Sequence, residues 1–146
     1  MTRLYLLIAA WFMAYTPLSS QSNISGAWKG VITQNEGGYR SEYSFEMYFR
    51  QKGTKITGRS YVYIDRIFAE MELKGEWVDK DNITFTETKI TRSKREENMD
   101  WCIKSGKLKL IKQGKTWKLE GIWGGVSSFG PCIPGKIFLT KTIPRV

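Results

Sequence analysis

The sequence predicts an all-β domain, an eight-stranded antiparallel up-and-down meander barrel closed by one disulfide. Three observations predict it. Apolar and polar residues alternate with period two from residue 26 to residue 142. The alternating runs are separated by Gly, Asp and Asn turn residues, and no stretch beyond residue 24 keeps a helical apolar period. Aromatics, which favour strands, supply six Trp, seven Tyr and seven Phe.

The first strand runs over 26–34, with Trp28 and Ile32 on one face. The second runs over 42–51, where Tyr43, Phe45, Met47 and Phe49 alternate with Ser44, Glu46, Tyr48 and Arg50. The third runs over 55–64, with Ile56, Val62 and Ile64 together. The fourth, over 68–78, sets Ala69, Met71, Leu73 and Trp77 against Glu70, Glu72, Lys74 and Glu76. The fifth runs over 82–90, with Ile83 and Phe85, and the sixth over 101–111, with Leu108 and Leu110. The seventh, over 116–124, carries Trp117, Leu119 and Trp123, and the eighth, over 135–142, carries Ile137 and Leu139.

The connections fall into two classes. Those at 51–54, 79–81 and 112–115 are tight and carry turn chemistry. Those at 35–41, 91–100 and 125–134 are long. A meander alternates its connections between two ends, so one end is closed by turns and the other is open and loop-rich. Within the long set, the run Arg92-Ser93-Lys94-Arg95-Glu96-Glu97 nearly neutralises itself and reads as a mobile loop. Gly26, Gly58, Gly75 and Gly121 recur on the inward parity, as the bends of a tightly coiled barrel require. A two-sheet β-sandwich would also show eight short strands and is the alternative.

Residues 1–20 read as a secretory signal peptide. Arg3 precedes the uncharged run Leu4–Tyr15, and Pro17, Ser19 and Ser20 follow it. That run is shorter than the ~20 helical residues that cross a bilayer. An uncleaved anchor is the other reading of it. Cleavage leaves 21–146 as a single secreted or periplasmic domain that does not span a membrane. In such an oxidising compartment Cys102 and Cys132, the only cysteines, are expected to pair.

Gly26-Ala27-Trp28 resembles the G-x-W that opens the first strand of lipocalins and of avidin-like barrels. The resemblance implies a calycin-type barrel, a class that mostly binds small molecules inside. The size, without a terminal helix, is closer to the avidin-like members. No biotin-site residue carries over.

Strand direction turns parity into depth. Trp28, Phe49, Trp77 and Trp117 are expected to meet at the closed end as an apolar plug. Phe45, Met47, Ser60, Val62, Met71 and Phe85 lie midway. Gln34, Tyr43, Glu87, Lys104 and Trp123 face inward towards the mouth. The expected ligand-binding set is therefore Gln34, Tyr43, Phe45, Met47, Ser60, Glu87, Lys104 and Trp123, an apolar body with polar groups at its rim. Glu87 and Lys104 share a depth on neighbouring strands. They pair there to orient a polar ligand group, or a bulge at Ser105-Gly106 turns Lys104 outward and brings Trp101 and Ile103 in.

The formal net charge is +9. From Asp100 to Lys141 there are eight lysines against Asp100 and Glu120. Lys107, Lys109, Lys118 and Lys136 share outward parity and form a basic stripe. The stripe is either a solvated face or a site for an anionic glycan, lipid headgroup or protein. Nucleic acid is not expected for an exported chain. Its outward aromatics, Tyr48, Tyr61 and Tyr63, lie far from the lysines.

There is no histidine, which removes His-based zinc sites, Ser-His-Asp triads and Cys-His dyads. Glu87 has no convincing second acid or base. A non-enzymatic binding protein without cofactor or metal is expected, holding a small lipophilic or amphipathic molecule. A surface-interaction or inhibitor module that works through the basic face is the alternative.

Overall fold

The computed structural model describes residues 21–141. The predicted leader over 1–20, and Thr142 at the end of the last predicted strand, lie outside them. The strands are β1 (Gly26–Thr33), β2 (Glu42–Lys52), β3 (Lys55–Ile64), β4 (Ile67–Trp77), β5 (Asn82–Lys94), β6 (Ile103–Gln113), β7 (Thr116–Ser127), β8 (Gly130–Pro131) and β9 (Gly135–Lys141). β8 is a two-residue rung beside the end of β7. Each of the other strands pairs antiparallel with the next, and β9 bonds to both β7 and β1. The β1–β9 ladder joins first strand to last, which a sandwich lacks. The wall is therefore a closed eight-stranded meander barrel.

Period-two alternation builds the core directly. On β2, Tyr43, Phe45, Met47 and Phe49 are buried and the residues between them face outward. Three of the four expected glycines are among those that mark where the wall coils tightly. A Cβ on Gly58 would lie 1.9 Å from the Tyr48 carbonyl oxygen, on Gly75 2.2 Å from that of Thr84, and on Gly121 1.9 Å from that of Lys107. No side chain fits such approaches. Gly26 differs from them: space around it is open, and its φ of +120° is what favours glycine there.

Two-residue turns led by Gly53 and Gly114, with φ of +61° and +58°, close the lower end. At the third lower turn the Asp79 carboxylate accepts the Asp81 and Asn82 amides, each at 2.9 Å. Residues 21–25 run across this end. Ile24 is fully buried, its carbonyl accepts the Trp28 indole N–H at 2.8 Å, and its amide donates to Gln51 Oε1 at 3.0 Å. The expected plug is therefore corrected in part. Trp28, Phe49 and Trp77 are buried, but Trp117 is half-buried under two ammonium groups, Lys112 Nζ at 4.5 Å and Lys141 Nζ at 5.0 Å from its ring centre. Cations need water on one side, so Trp117 forms the outer skin of the plug.

Several strand boundaries differ from expectation, with β6 running on to Gln113 and β7 to Ser127. β5 continues to Lys94, so Arg92–Lys94 are strand residues opposite Glu70, Ala69 and Phe68 rather than loop. β6 begins at Ile103, which leaves Trp101 outside the strand. β5 holds two bulges, at Thr88 and Thr91. Their hydroxyls donate to the Glu72 and Glu70 carbonyls at 3.3 and 3.1 Å, across the interrupted ladder. β5 and β6 stay paired only as far as Thr86 and Ser105. Above that point β5 follows β4, β6 follows β7, and residues 95–102 fill the gap between them.

On the outer wall, Tyr61 packs against Tyr63 and Phe68 with ring centres 5.1 and 5.8 Å apart. Arg59 covers Tyr48 and Arg92 covers Phe68, at 5.9 and 5.5 Å. Tyr48 donates to Glu46, which pushes its phenol up to about 12.

Candidate ligand-binding site

The loop-rich end holds a cavity of about 230 Å³. Ile32 and Gln34 reach it from the end of β1, Tyr43 from β2 and Val62 from β3. Lys104 and Trp123 reach it from β6 and β7. Loop residues complete it: Tyr39 from the β1–β2 connection, Asn98–Cys102 from the β5–β6 connection, and Phe129 beside β8. Of the expected ligand-binding residues, Gln34, Tyr43, Lys104 and Trp123 line this cavity. Phe45, Met47, Ser60 and Glu87 are buried outside its lining, in the packed interior.

Two links between loops hold the mouth in shape. The Cys102–Cys132 disulfide joins the β5–β6 connection to the one that leads into β9. Closing a loop of that length is worth roughly 3–4 kcal/mol in the chain-entropy model. Asp100 makes the second link. Its Oδ2 accepts the Ser128 amide and its Oδ1 the Trp101 amide, at 2.8 and 2.9 Å. Hydrogen bonding from Ser128, then from the Trp101 amide, together with the nearby Arg95 charge, holds its carboxyl below the usual aspartate range.

Glu87 and Lys104 form an ion pair in the interior. Lys104 Nζ lies 3.0 Å from Glu87 Oε2, with side-chain exposures of 4% and 0%. Glu87 also accepts the Ser60 hydroxyl at 2.5 Å and the Lys104 amide at 2.8 Å. That amide faces the gap where β5 has left β6, so the carboxylate replaces a missing ladder bond. The Lys104 ammonium donates to the Cys102 carbonyl at 3.2 Å and stands over the Phe45 ring at 5.7 Å. The β6–β7 register runs unbroken from Ile103 to Gln113, so the alternative bulge at Ser105-Gly106 is absent and Lys104 points inward.

Gln34, Tyr43, Trp101 and Trp123, also in the lining, are paired within the protein as well. Gln34 accepts from the Tyr43 hydroxyl at 2.8 Å and donates to the Ile133 carbonyl at 3.1 Å. Burial pushes the Tyr43 phenol up, which keeps it a proton donor. The indoles of Trp123 and Trp101 donate to the carbonyls of Thr33 and Lys94, at 2.8 and 3.1 Å.

Sequence reasoning missed Tyr39, Met99, Trp101 and Phe129 as cavity residues. Parity gives depth only along a strand, and these four sit on loops. A pointer did exist in Met99-Asp100-Trp101-Cys102, where two large apolar residues flank an acid beside a bridged cysteine.

The basic stripe is modified as well. Lys107, Lys109 and Lys136 are exposed and Lys118 is half-buried, but Glu120 stands opposite Lys109 and interrupts the row. Ile122, 65% exposed, lies between Lys107 and Lys136 in the register.

No family model, curated protein or solved structure matches this chain.

Proposed function

We propose that the protein is an exported binding protein that holds a small, partly apolar molecule in the mouth of its barrel. The observation that carries this reading is the cavity itself. It is walled by Tyr43, Trp101 and Trp123 and lies beneath loops tied by Cys102–Cys132 and Asp100. An apolar recess with a few fixed polar groups is the usual form of a small-molecule site.

Native mass spectrometry tests the proposal. The mature protein purified from its own host is compared with the same protein after refolding. A reproducible added mass that disappears on unfolding is expected. A clean mass in both samples, with tryptophan fluorescence unmoved by lipophilic probes, would overturn the reading.

A second reading rests on a different observation. Among the described residues, no carboxylate lies within 4.0 Å of the amines of Lys107, Lys109, Lys112, Lys115, Lys118, Lys136 or Lys141. A wall of lysines without close ion pairs suits an anionic glycan or lipid headgroup, and retention on a heparin column measures it.

A further inference from the structure

We infer that the mouth cavity selects an uncharged ligand of one or two rings and rejects carboxylates and amines of the same shape. The inference rests on the binding reading above and narrows its ligand class.

The first ground is that the cavity's charges are already matched. Lys104 is the one cationic side chain in the lining, and Glu87 Oε2 holds its ammonium at 3.0 Å from beneath. The Cys102 carbonyl at 3.2 Å and the Met71 sulfur at 3.9 Å occupy its other sides. A ligand carboxylate would have to share this ammonium with Glu87, and the two acids would face each other in a buried place. Asp100 is the lining acid: its oxygens are held by the Ser128 and Trp101 amides, and Arg95 Nη1, 3.9 Å from Oδ1, already answers its charge. A ligand ammonium would lose its water and gain no free counter-charge.

The second ground is that the neutral polar groups are also spent. Gln34, Tyr43, Trp101 and Trp123 all bond to protein atoms. Only Tyr39 and Asn98, at the exposed rim, have no side-chain hydrogen bond among the described residues. A neutral hydroxyl or carbonyl can meet them, whereas a full charge needs more than a half-wet amide.

The third ground is size and shape. About 230 Å³ falls below the roughly 300–1,000 Å³ of drug-sized sites, so a long lipid chain does not fit. Tyr43 and Trp101 meet edge to face with centres 6.4 Å apart, and such walls favour flat rings over a flexible chain.

The test uses three matched probes on the mature protein by titration calorimetry: 2-naphthalenemethanol, 2-naphthoate and 2-naphthylmethylammonium. The alcohol is expected to bind at least about tenfold more tightly than either ion, because each ion brings an uncompensated charge. Naphthoate or the amine binding as well as the alcohol would overturn the inference and leave the binding reading standing. Binding of none of the three would overturn both.

Glu87→Gln supplies an internal check. It frees the Lys104 ammonium, so the affinity ratio of naphthoate to alcohol is expected to rise about tenfold or more. An unchanged ratio in a folded variant would show that the ion pair does not set the preference. The wild-type comparison decides the question even if that variant does not fold.

Discussion

At the scale of single residues, the buried ion pair is the feature with the largest consequence. Two charges in the core cost more in lost hydration than most surface pairs return. They are tolerated because Glu87 collects three donors and because Lys104 bridges to the Cys102 carbonyl. Lys104→Met removes one partner and leaves a buried carboxylate without its counter-charge, a loss expected to be about 3–5 kcal/mol in urea unfolding. Adding Glu87→Gln keeps an oxygen for Ser60 and for the residue-104 amide while removing the charge, so most of that loss should return. A double variant no more stable than the single one would mean that the charge on Glu87 is not what destabilises it. Alternation placed Glu87 inward but left Lys104 open between inward and a bulge that turns it out, until the unbroken β6–β7 register decided for inward. Their partner Ser60 was legible as an inward residue too, but its hydroxyl bond was not, because parity says nothing of which atoms meet across a barrel.

At the scale of elements, legibility followed the ladders. Alternation located β2 and β3, which pair on both sides, to within a residue. It failed at the top of β5 and the start of β6, where each strand keeps only one neighbour. The bulge at Thr88 shifts the phase of β5, so Ile90 opposes the inward Met71 against simple parity, and the bulge at Thr91 restores the phase at Ser93, opposite Ala69. The segment between β5 and β6 is set by contacts remote in sequence, above all the Asp100–Ser128 bond. That bond has a pH signature. The Asp100 carboxyl lies below the ordinary aspartate value of about 3.9, so its contribution is complete above that value and fades as pH falls through the folded-state one. Hydrogen-exchange protection of the Ser128 amide, corrected for intrinsic rate, should stay level from neutral pH to about pH 4 and fall below it. Asp100→Asn should abolish that dependence. Protection that stays level down to pH 2 in the wild type would rule out the carboxylate as the link.

At the scale of the whole molecule, closure and charge are organised separately. The barrel closes through β9, which removes the sheet edges and leaves two ends of different character, one plugged by Ile24 and Trp28 and one hollow. Charge divides around the wall instead of along its axis. Lys29–Glu46, Lys55–Glu76, Arg59–Glu70 and Lys89–Glu72 all sit on β1–β5. The outward lysines of β6, β7 and β9 have no such partners among the described residues. Net charge alone predicts some retention on any anionic support, so only placement can separate a working face from a solvated one. Lys107, Lys109 and Lys118 changed together to Glu remove the centre of the unpaired wall. Lys52, Lys74 and Lys89 changed to Glu alter the net charge equally on other faces. If the wall binds, the first triple should elute from heparin at clearly lower salt than the second, with a shallower dependence of affinity on salt. Equal elution of the two would assign the lysines to solubility and leave the proposed mouth site as the reading to pursue.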